Sequence, residues 1–524
     1  MTSVPPTGAL LTIPELFDSA VDEAPSKVWL FYEDSSWTFA RAHERIGGTA
    51  AALRGLGLGR DTRVLATTRN SPAYLFAWLA AAYLGAVFVP ANPESSPVEI
   101  AGLVRQVEPG VVLTDADLRP LVEQGVEDAG SSAPIALADE LLDGPGTRPP
   151  EHRVRPGDVA VMMPTSGTTG RSKLVMQTHR AYAMAGEGFP FWMDLGQDDR
   201  LMTSLPLFHI NAPAYSVLGS VAARASVVLL PRFSARRFVD LARRYGATEF
   251  NAIGAMLEIL MRQPAGDDDA DNPLRLCYTG PAPTKQRQLE IEARFGLRIV
   301  CGYAMSETPY GLIWERGTRP YGTLGSPRQH PTMGTVNEAR VRDGDRPVGV
   351  GEVGELELKN PAVMLGYYRM PEETDKVLAG GWLKTGDLVT PNPDGTYTFV
   401  GRKKELIRRR GENLSPLEVE AALEEHPAVV EAAVVGVPSE LSEEEVKGFL
   451  VLREGADAAL GEIRDFAAAR LAPYKVPRFL EAVAELPHTP TGRIAKHELP
   501  AERTRAEIDF GSGAGPAVRK GGGG

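Results

Sequence analysis

Thr165-Ser166-Gly167-Thr168-Thr169-Gly170-Arg171-Ser172-Lys173 is the stretch of this chain best equipped to hold an anion. Seven of its nine residues are Ser, Thr or Gly, and it ends on a lysine. Hydroxyls and freely turning backbone offer several donors to one phosphate, and the lysine adds positive charge. Apolar runs at 159–163 and 174–176 flank it, so the spacing predicts a tight strand–loop–strand. The spacing G-x-x-x-x-G-K-[ST] does not occur, so this is not that phosphate loop. On these residues alone, a flexible Ser/Thr/Gly linker remains the alternative.

Other chemistry-bearing residues follow apolar runs. Leu205-Pro206-Leu207-Phe208-His209 delivers an aromatic ring and an imidazole to a loop. The run 274–278 leads into Thr279-Gly280-Pro281-Ala282, and 298–301 into Gly302-Tyr303-Ala304-Met305-Ser306-Glu307. In α/β sheets, ligands bind at such C-terminal strand ends. Gly349-Val350-Gly351-Glu352-Val353-Gly354 matches G-x-G-x-x-G, but it leads into the alternating run 355–358 and not into a helix. We therefore read it as a tight turn between antiparallel strands and reject a dinucleotide fingerprint.

The elements that must position these residues alternate between strand and helix at βαβ spacing, which predicts parallel sheets covered by helices. Thr12 and Pro14 open a helix. The run 73–89 is divided by Gly85 and ended by Pro90, so it reads as a buried helix to about Leu84 and a strand at 86–89, not a membrane span. Residues 117–150 are poor in pattern and read as surface structure. From about 405 the pattern becomes a small α+β module, with a helix from Pro416 capped by Ser415 and Glu418. The expected fold class is α/β: a large multi-sheet N-terminal domain over 1–403, a small mobile α+β domain over 404–505, and a disordered Gly-rich tail over 506–524.

Composition narrows the function. Apolar content of 43% with 24% charged residues is that of an ordinary globular protein. A net charge of −12 gives no electrostatic reason to bind nucleic acid or an anionic membrane. Two cysteines make no disulfide framework, which fits a reducing, cytoplasmic setting, and the N-terminus reads as no signal peptide. The eight histidines show no metal-ligand spacing.

Six separated motifs in one order make the chain resemble the adenylate-forming superfamily of acyl-CoA synthetases, peptide-synthetase adenylation domains and luciferases. They are 165–173, 205–209, 302–307, Trp382-Leu383-Lys384-Thr385-Gly386-Asp387, the stretch 401–413 and Pro490-Thr491-Gly492-Arg493-Ile494-Ala495-Lys496. Within it the chain is most similar to stand-alone ligases of the crotonobetaine/carnitine-CoA ligase type. The resemblance implies that an acid is activated with ATP and Mg²⁺ to acyl-AMP, and that coenzyme A then takes the acyl group. Residues 165–173 would cover the β- and γ-phosphates, Tyr303 would lie against adenine, Ser306 would sit near the phosphates and Glu307 would bind Mg²⁺. Gly280, Pro281, Ala282, Gly302, Ala304 and Met305 would complete the nucleotide side. Asp387 and Arg402 would reach the ribose, and Lys496 would bridge the acid and the α-phosphate. His209 would line the acid pocket. Lys404 would be a hinge about which the C-terminal domain turns between half-reactions, bringing Gly411 to the thiol. Leu174, Ser172, Ala304 and Arg410 depart from the family's usual Gly, Pro, Gly and Gly. Arg410 either holds coenzyme A phosphates or is solvated. The pocket residues, among them Asn211, Tyr278 and Tyr310, suit a medium-sized, ring-containing or branched acid, with no charged partner for a second charge. An acyl-carrier protein in place of coenzyme A, a single half-reaction, a homodimer and an inactive nucleotide-binding scaffold are the other readings.

Overall fold

A computed structural model describes residues 11–165, 172–280, 282–409, 412–438, 444–456, 458–488 and 494–511. The chain groups into two units. One is Met1–Arg340, Glu357–Lys384 and Asp394–Thr396; the other is Val341–Leu356, Thr385–Pro393 and Tyr397–Gly524. Pairing of 387–391 with 397–402 groups the upstream strand with the second unit, which a linear reading cannot see.

The first unit carries strands β1 (Val28–Tyr32), β2 (Ser35–Thr38), β3 (Arg63–Thr67), β4 (Val87–Pro90), β5 (Val111–Thr114), β6 (Ile135–Leu137), β7 (Val159–Thr165) and β8 (Lys173–Thr178). It continues with β9 (Arg200–Thr203), β10 (Ser226–Leu229), β11 (Glu249–Ile253), β12 (Leu276–Gly280), β13 (Arg298–Met305), β14 (Thr308–Ile313) and β15 (Ser326–Pro327). One sheet has the order β15-β14-β13-β12-β11-β9-β10-β1-β2 and another β6-β5-β3-β4-β7-β8. The interior pairs are parallel, while β2, β8, β14 and β15 are antiparallel additions at the edges. Parallel pairs need helical crossovers, which explains the strand–helix alternation.

Side chains on the second sheet alternate between two cores, as the strand period of two requires. Val64, Ala66, Val111 and Leu113 join a core shared with the first sheet, while Leu65 and Val112 face the helices Pro97–Val107 and Arg119–Asp128. The helix Pro72–Leu84 buries 12 of its 13 residues and ends at Gly85, as its uniformly apolar sequence requires. The helix Arg119–Asp128 and the strand β6 lie in the stretch read only as surface structure; their short apolar pattern hid them. Thr12 caps its helix with Glu15 in a reciprocal box.

In the second unit, strands Val429–Pro438, Glu444–Leu452, Phe479–Val483 and Ile508–Asp509 form one sheet, packed by the helices Pro416–Glu424 and Leu460–Ala468. Two expectations change here. Ser415 does not cap the helix through its side chain; its hydroxyl donates to the Val400 carbonyl, and Glu418 pairs with Lys475. Residues 508–510 lie in the expected tail, yet Ile508–Asp509 pairs with Phe479–Val483 and Phe510 packs on the core. Residues 512–524 lie outside the described residues. The Gly349–Gly354 stretch joins the strands Arg346–Pro347 and Gly354–Lys359, which are not neighbours in their sheet, so it is a connecting turn and no hairpin.

Candidate active site

In the first unit, β7 and β8 oppose Thr165 and Lys173, and Thr165 Oγ1 donates to the Lys173 carbonyl at 3.3 Å. This pair is the neck of the Ser/Thr/Gly loop. Ser166, Gly167, Thr168, Thr169, Gly170, Pro281, Arg410 and Gly411 lie outside the described residues. Lys173 Nζ lies 2.6 Å from Glu373 Oε2 and 4.8 Å from the centre of the Tyr367 ring. The Tyr367 hydroxyl in turn donates to Glu307 Oε1 at 2.8 Å. A cation, a phenol and a carboxylate thus stand in a row.

Sequence reading missed Tyr367 and Glu373. Backbone bonds lay their segment beside β8: Leu365 N–H donates to the Met176 carbonyl at 3.0 Å, and Tyr368 N–H to the Leu174 carbonyl at 2.8 Å. The only signal was Gly366-Tyr367-Tyr368 after an apolar run, too short to interpret alone. Hydrogen bonds from Lys173 and Lys376 pull the Glu373 carboxyl down to about 2, so it stays ionised. Burial, then the charge of Glu307, raises the Tyr367 phenol, so it remains a proton donor.

Gly302, Tyr303, Ala304 and Met305 are strand residues of β13 and not loop residues as expected. β13 and β14 form a hairpin with Ser306 and Glu307 at its tip, and the register slips between Tyr303 and Met305, at Ala304. A bulge of this kind re-aims the side chains beside it. The tip is held by Gln177, which donates to the Ser306 carbonyl at 2.6 Å, and by Met364 N–H on the Glu307 carbonyl at 2.8 Å. β12 and β13 approach so closely that a Cβ on Gly280 would sit 2.4 Å from the Gly302 carbonyl oxygen. One on Gly302 would sit 2.8 Å from the Tyr278 ring and 3.0 Å from Arg328 Nη2. Both positions therefore need glycine.

Arg328 underlies this hairpin and is 0% exposed. Its Nε donates to the Leu312 carbonyl at 3.1 Å. Nη1 donates to Tyr215 Oη at 2.7 Å and the Pro309 carbonyl at 3.1 Å, and Nη2 to Tyr278 Oη and, at 3.4 Å, the Tyr303 carbonyl. The guanidinium also lies over the Trp192 ring at 4.6 Å. Burial works against its charge, but the Tyr215 and Tyr278 oxygens more than offset this and hold its pKa above the ordinary value. A cation thus stands behind Tyr278, with every N–H engaged by protein acceptors. A lone arginine after Ser-Pro gave no sign of this.

The loop carrying His209 is pinned from below. Asn70 accepts from Leu207 N–H at 2.9 Å and donates to the Leu205 carbonyl at 3.0 Å, and Tyr74 Oη donates to the Leu207 carbonyl at 2.9 Å. His209 packs against Phe208 with ring centres 4.5 Å apart. The chain then winds as a π helix over Ala212–Val217, a geometry enriched at functional sites. Asn211 accepts from Asn251 Nδ2 at 2.6 Å, while Ala282 and Ala304 stay half-buried.

In the second unit, Asp387 opposes Arg402 across adjacent strands, with Oδ1 3.2 Å from Arg402 Nε. Asp387 is buried, and its N–H donates to Thr385 Oγ1 at 3.1 Å. Glu355 accepts from Gly386 N–H at 3.1 Å and pairs with Lys403 at 2.9 Å, which braces this turn. Lys404 follows in the short helical turn Lys403–Glu405. Lys496 lies in the turn Lys496–Glu498, with Nζ 2.6 Å from Glu420 Oε1.

Groups of this kind fit phosphates and a hard cation: the Lys173 amine for the former, and the Glu307 carboxylate, oriented by the Tyr367 hydroxyl, for the latter. A nucleotide-binding α/β body followed by a lysine-bearing α+β module is a known class. The model of the family AMP-binding enzyme matches residues 17–368, and that of the AMP-binding enzyme C-terminal domain matches residues 418–493. The chain belongs to the AMP-binding enzyme family. It is 33% identical over 488 residues to a crotonobetaine/carnitine–CoA ligase of Salmonella heidelberg, covering 88% of this chain and 93% of that protein. Its fold matches ATP-bound MatB from Rhodopseudomonas palustris at a TM-score of 0.85 and 27% identity, covering 93% of this chain and 98% of that one. A benzoate CoA ligase from Burkholderia xenovorans LB400 matches at 0.84 and 26% identity, covering 93% and 99%. Among the described residues, no helix is long and apolar enough to cross a membrane.

Proposed function

We propose that this chain is an ATP-dependent, AMP-forming ligase that joins a carboxylic acid to coenzyme A. A carboxylate is a poor acyl donor because its leaving group would be oxide. Its oxygen attacks the α-phosphorus of ATP, the bond to the β-phosphate breaks, and pyrophosphate leaves. The thiol of coenzyme A then attacks the acyl carbon and loses its proton, and AMP departs. Such chemistry runs on positioning and charge neutralisation.

The observation that carries the reading is the row Lys173–Tyr367–Glu307 at the neck of the Ser/Thr/Gly loop. Lys173 with the loop residues holds the β- and γ-phosphates, and Tyr367 keeps Glu307 oriented. Glu307 holds Mg²⁺, which when bound neutralises phosphate oxygens. Tyr303 lies against adenine and Ser306 near the phosphates. Asp387 and Arg402 take the ribose hydroxyls, a role supported by their 3.2 Å contact. Lys496 donates to the acid and the α-phosphate oxygens, and His209 borders the acid. The module after Lys404 turns about that residue between the two steps, with Arg410 and Gly411 on the thiol side. Two buried, unpaired cysteines support a reducing, cytoplasmic setting.

The acid is medium-sized and ring-containing or branched, supported by the mixed small and aromatic residues around β12 and the β13–β14 hairpin. Carboxylic acids incubated with ATP, Mg²⁺ and coenzyme A should release AMP and give thioesters identified by mass. Absence of both from every acid, crotonobetaine and benzoate included, would overturn the reading. Running the same acids with an acyl-carrier protein separates that acceptor from free coenzyme A, and the elution volume of the enzyme reports any homodimer.

A further inference from the structure

The backbone at Lys496 is fixed on its own module. Ala495 N–H donates to the Pro487 carbonyl at 2.7 Å, and His488 bridges Ile494 in antiparallel fashion. Ile494 packs on Ala433, Phe449, Leu486 and Leu499. From this mount the side chain runs to Glu420 on the helix Pro416–Glu424, with Nζ 2.6 Å from Oε1. The side chains are only 18% and 8% exposed. Val434 N–H donates to the same Glu420 oxygen at 2.6 Å. Among the described residues, Lys496 is the one cation within ion-pair distance of Glu420.

A buried carboxylate is costly to leave without its cation. Burial lifts the Glu420 pKa above the ordinary carboxylate value, the Lys496 amine and Val434 N–H pull it back, and nearby Glu405 adds repulsion. The amine has a second anionic partner in the reaction, the acid joined to the α-phosphate. One amine cannot serve both, so the two contacts compete. We propose that Glu420 is a positioning residue that holds the Lys496 amine whenever it is not engaged with the acid and α-phosphate, and so sets the balance between the two half-reactions. The inference rests on Lys496 being the amine of the adenylation step.

The test uses the full chain and two assays. Acid-dependent ATP–pyrophosphate exchange reports the first half-reaction; thioester formation from supplied acyl-AMP and coenzyme A reports the second. Glu420→Gln keeps an acceptor for Val434 N–H and removes the charge. The ratio of first to second rate should rise about fivefold, as expected for releasing a partly buried ion pair. In a Lys496→Ala background, adding Glu420→Gln should leave the second rate unchanged. An unchanged or falling ratio in the single variant, or an equal shift without the lysine, overturns the holding role alone. Full pyrophosphate exchange in Lys496→Ala overturns the reading of Lys496 and the holding role with it. If Glu420→Gln fails to fold, Glu420→Asp, which draws the carboxylate back by one methylene, must raise the ratio in the same direction.

Discussion

Replacing Arg328 with lysine keeps the charge and reduces five N–H donors to three. All five serve acceptors: the carbonyls of Leu312, Pro309 and Tyr303 and the hydroxyls of Tyr215 and Tyr278. At least two acceptors lose their partner in a site sealed from water. Each buried loss costs about 1–3 kcal/mol. Stacking over Trp192 at 4.6 Å is weakened as well. The expected destabilisation is about 3 kcal/mol, or about 4 °C in melting temperature for a unit of a few hundred residues. Because the lost bonds hold Tyr303, which is read against adenine, and the Tyr278 wall of the acid pocket, the KM values for both ATP and the acid should rise. Thermal unfolding and initial rates at varied acid and ATP read both effects. A melting temperature within about 1 °C of the parent, with both KM values unchanged, would refute the role of Arg328 as the brace of the hairpin.

Further outcomes follow from the same geometry. Tyr367→Phe removes the hydroxyl on Glu307 and keeps the ring under Lys173, so the Mg²⁺ concentration for half-maximal pyrophosphate exchange should rise with little change in melting temperature; an unchanged Mg²⁺ requirement contradicts it. Gly302→Ala puts a methyl 2.8 Å from Tyr278 and should destabilise by about 1–3 kcal/mol while weakening ATP binding, read by unfolding and nucleotide titration; parent-like values in both would contradict the close approach. Burial lowers the His179 imidazole to about 4, below its unfolded value near 6.5, so its contribution is complete above pH 6.5 and is lost as pH falls through that window, by about 3 kcal/mol in all. Melting temperature measured from pH 7 to 4 should fall less steeply in His179→Leu than in the parent, and equal slopes would contradict the assignment.

What could be read from the sequence was contiguous. The helix Pro72–Leu84 and the strand after it announce themselves by an unbroken apolar run cut at Gly85. The Ser/Thr/Gly stretch and the motifs at 302–307, 382–387 and 490–496 are short, contiguous and follow one another in the sequence as a family pattern does. What escaped was assembled from distant segments. Lys173 meets Glu373 across 200 residues, and Arg328 meets Tyr215 across 113. Neither partner has a local period or spacing to betray it. Ser415 had the right place for a helix cap, yet a carbonyl 15 residues upstream took its hydroxyl, a tertiary bond that no local rule weighs. The Gly302 segment was read as a loop because Gly and Ser weaken strand propensity, while the pairing with β14 decided otherwise.

The account turns on one amine that serves the first step and not the second. Lys496→Ala should lower acid-dependent pyrophosphate exchange by about a hundredfold to a thousandfold, the scale on which a single preorganised donor to a developing charge acts. Thioester formation from supplied acyl-AMP and coenzyme A should stay near the parent rate. Equal loss in both assays, or no loss in the first, would contradict it.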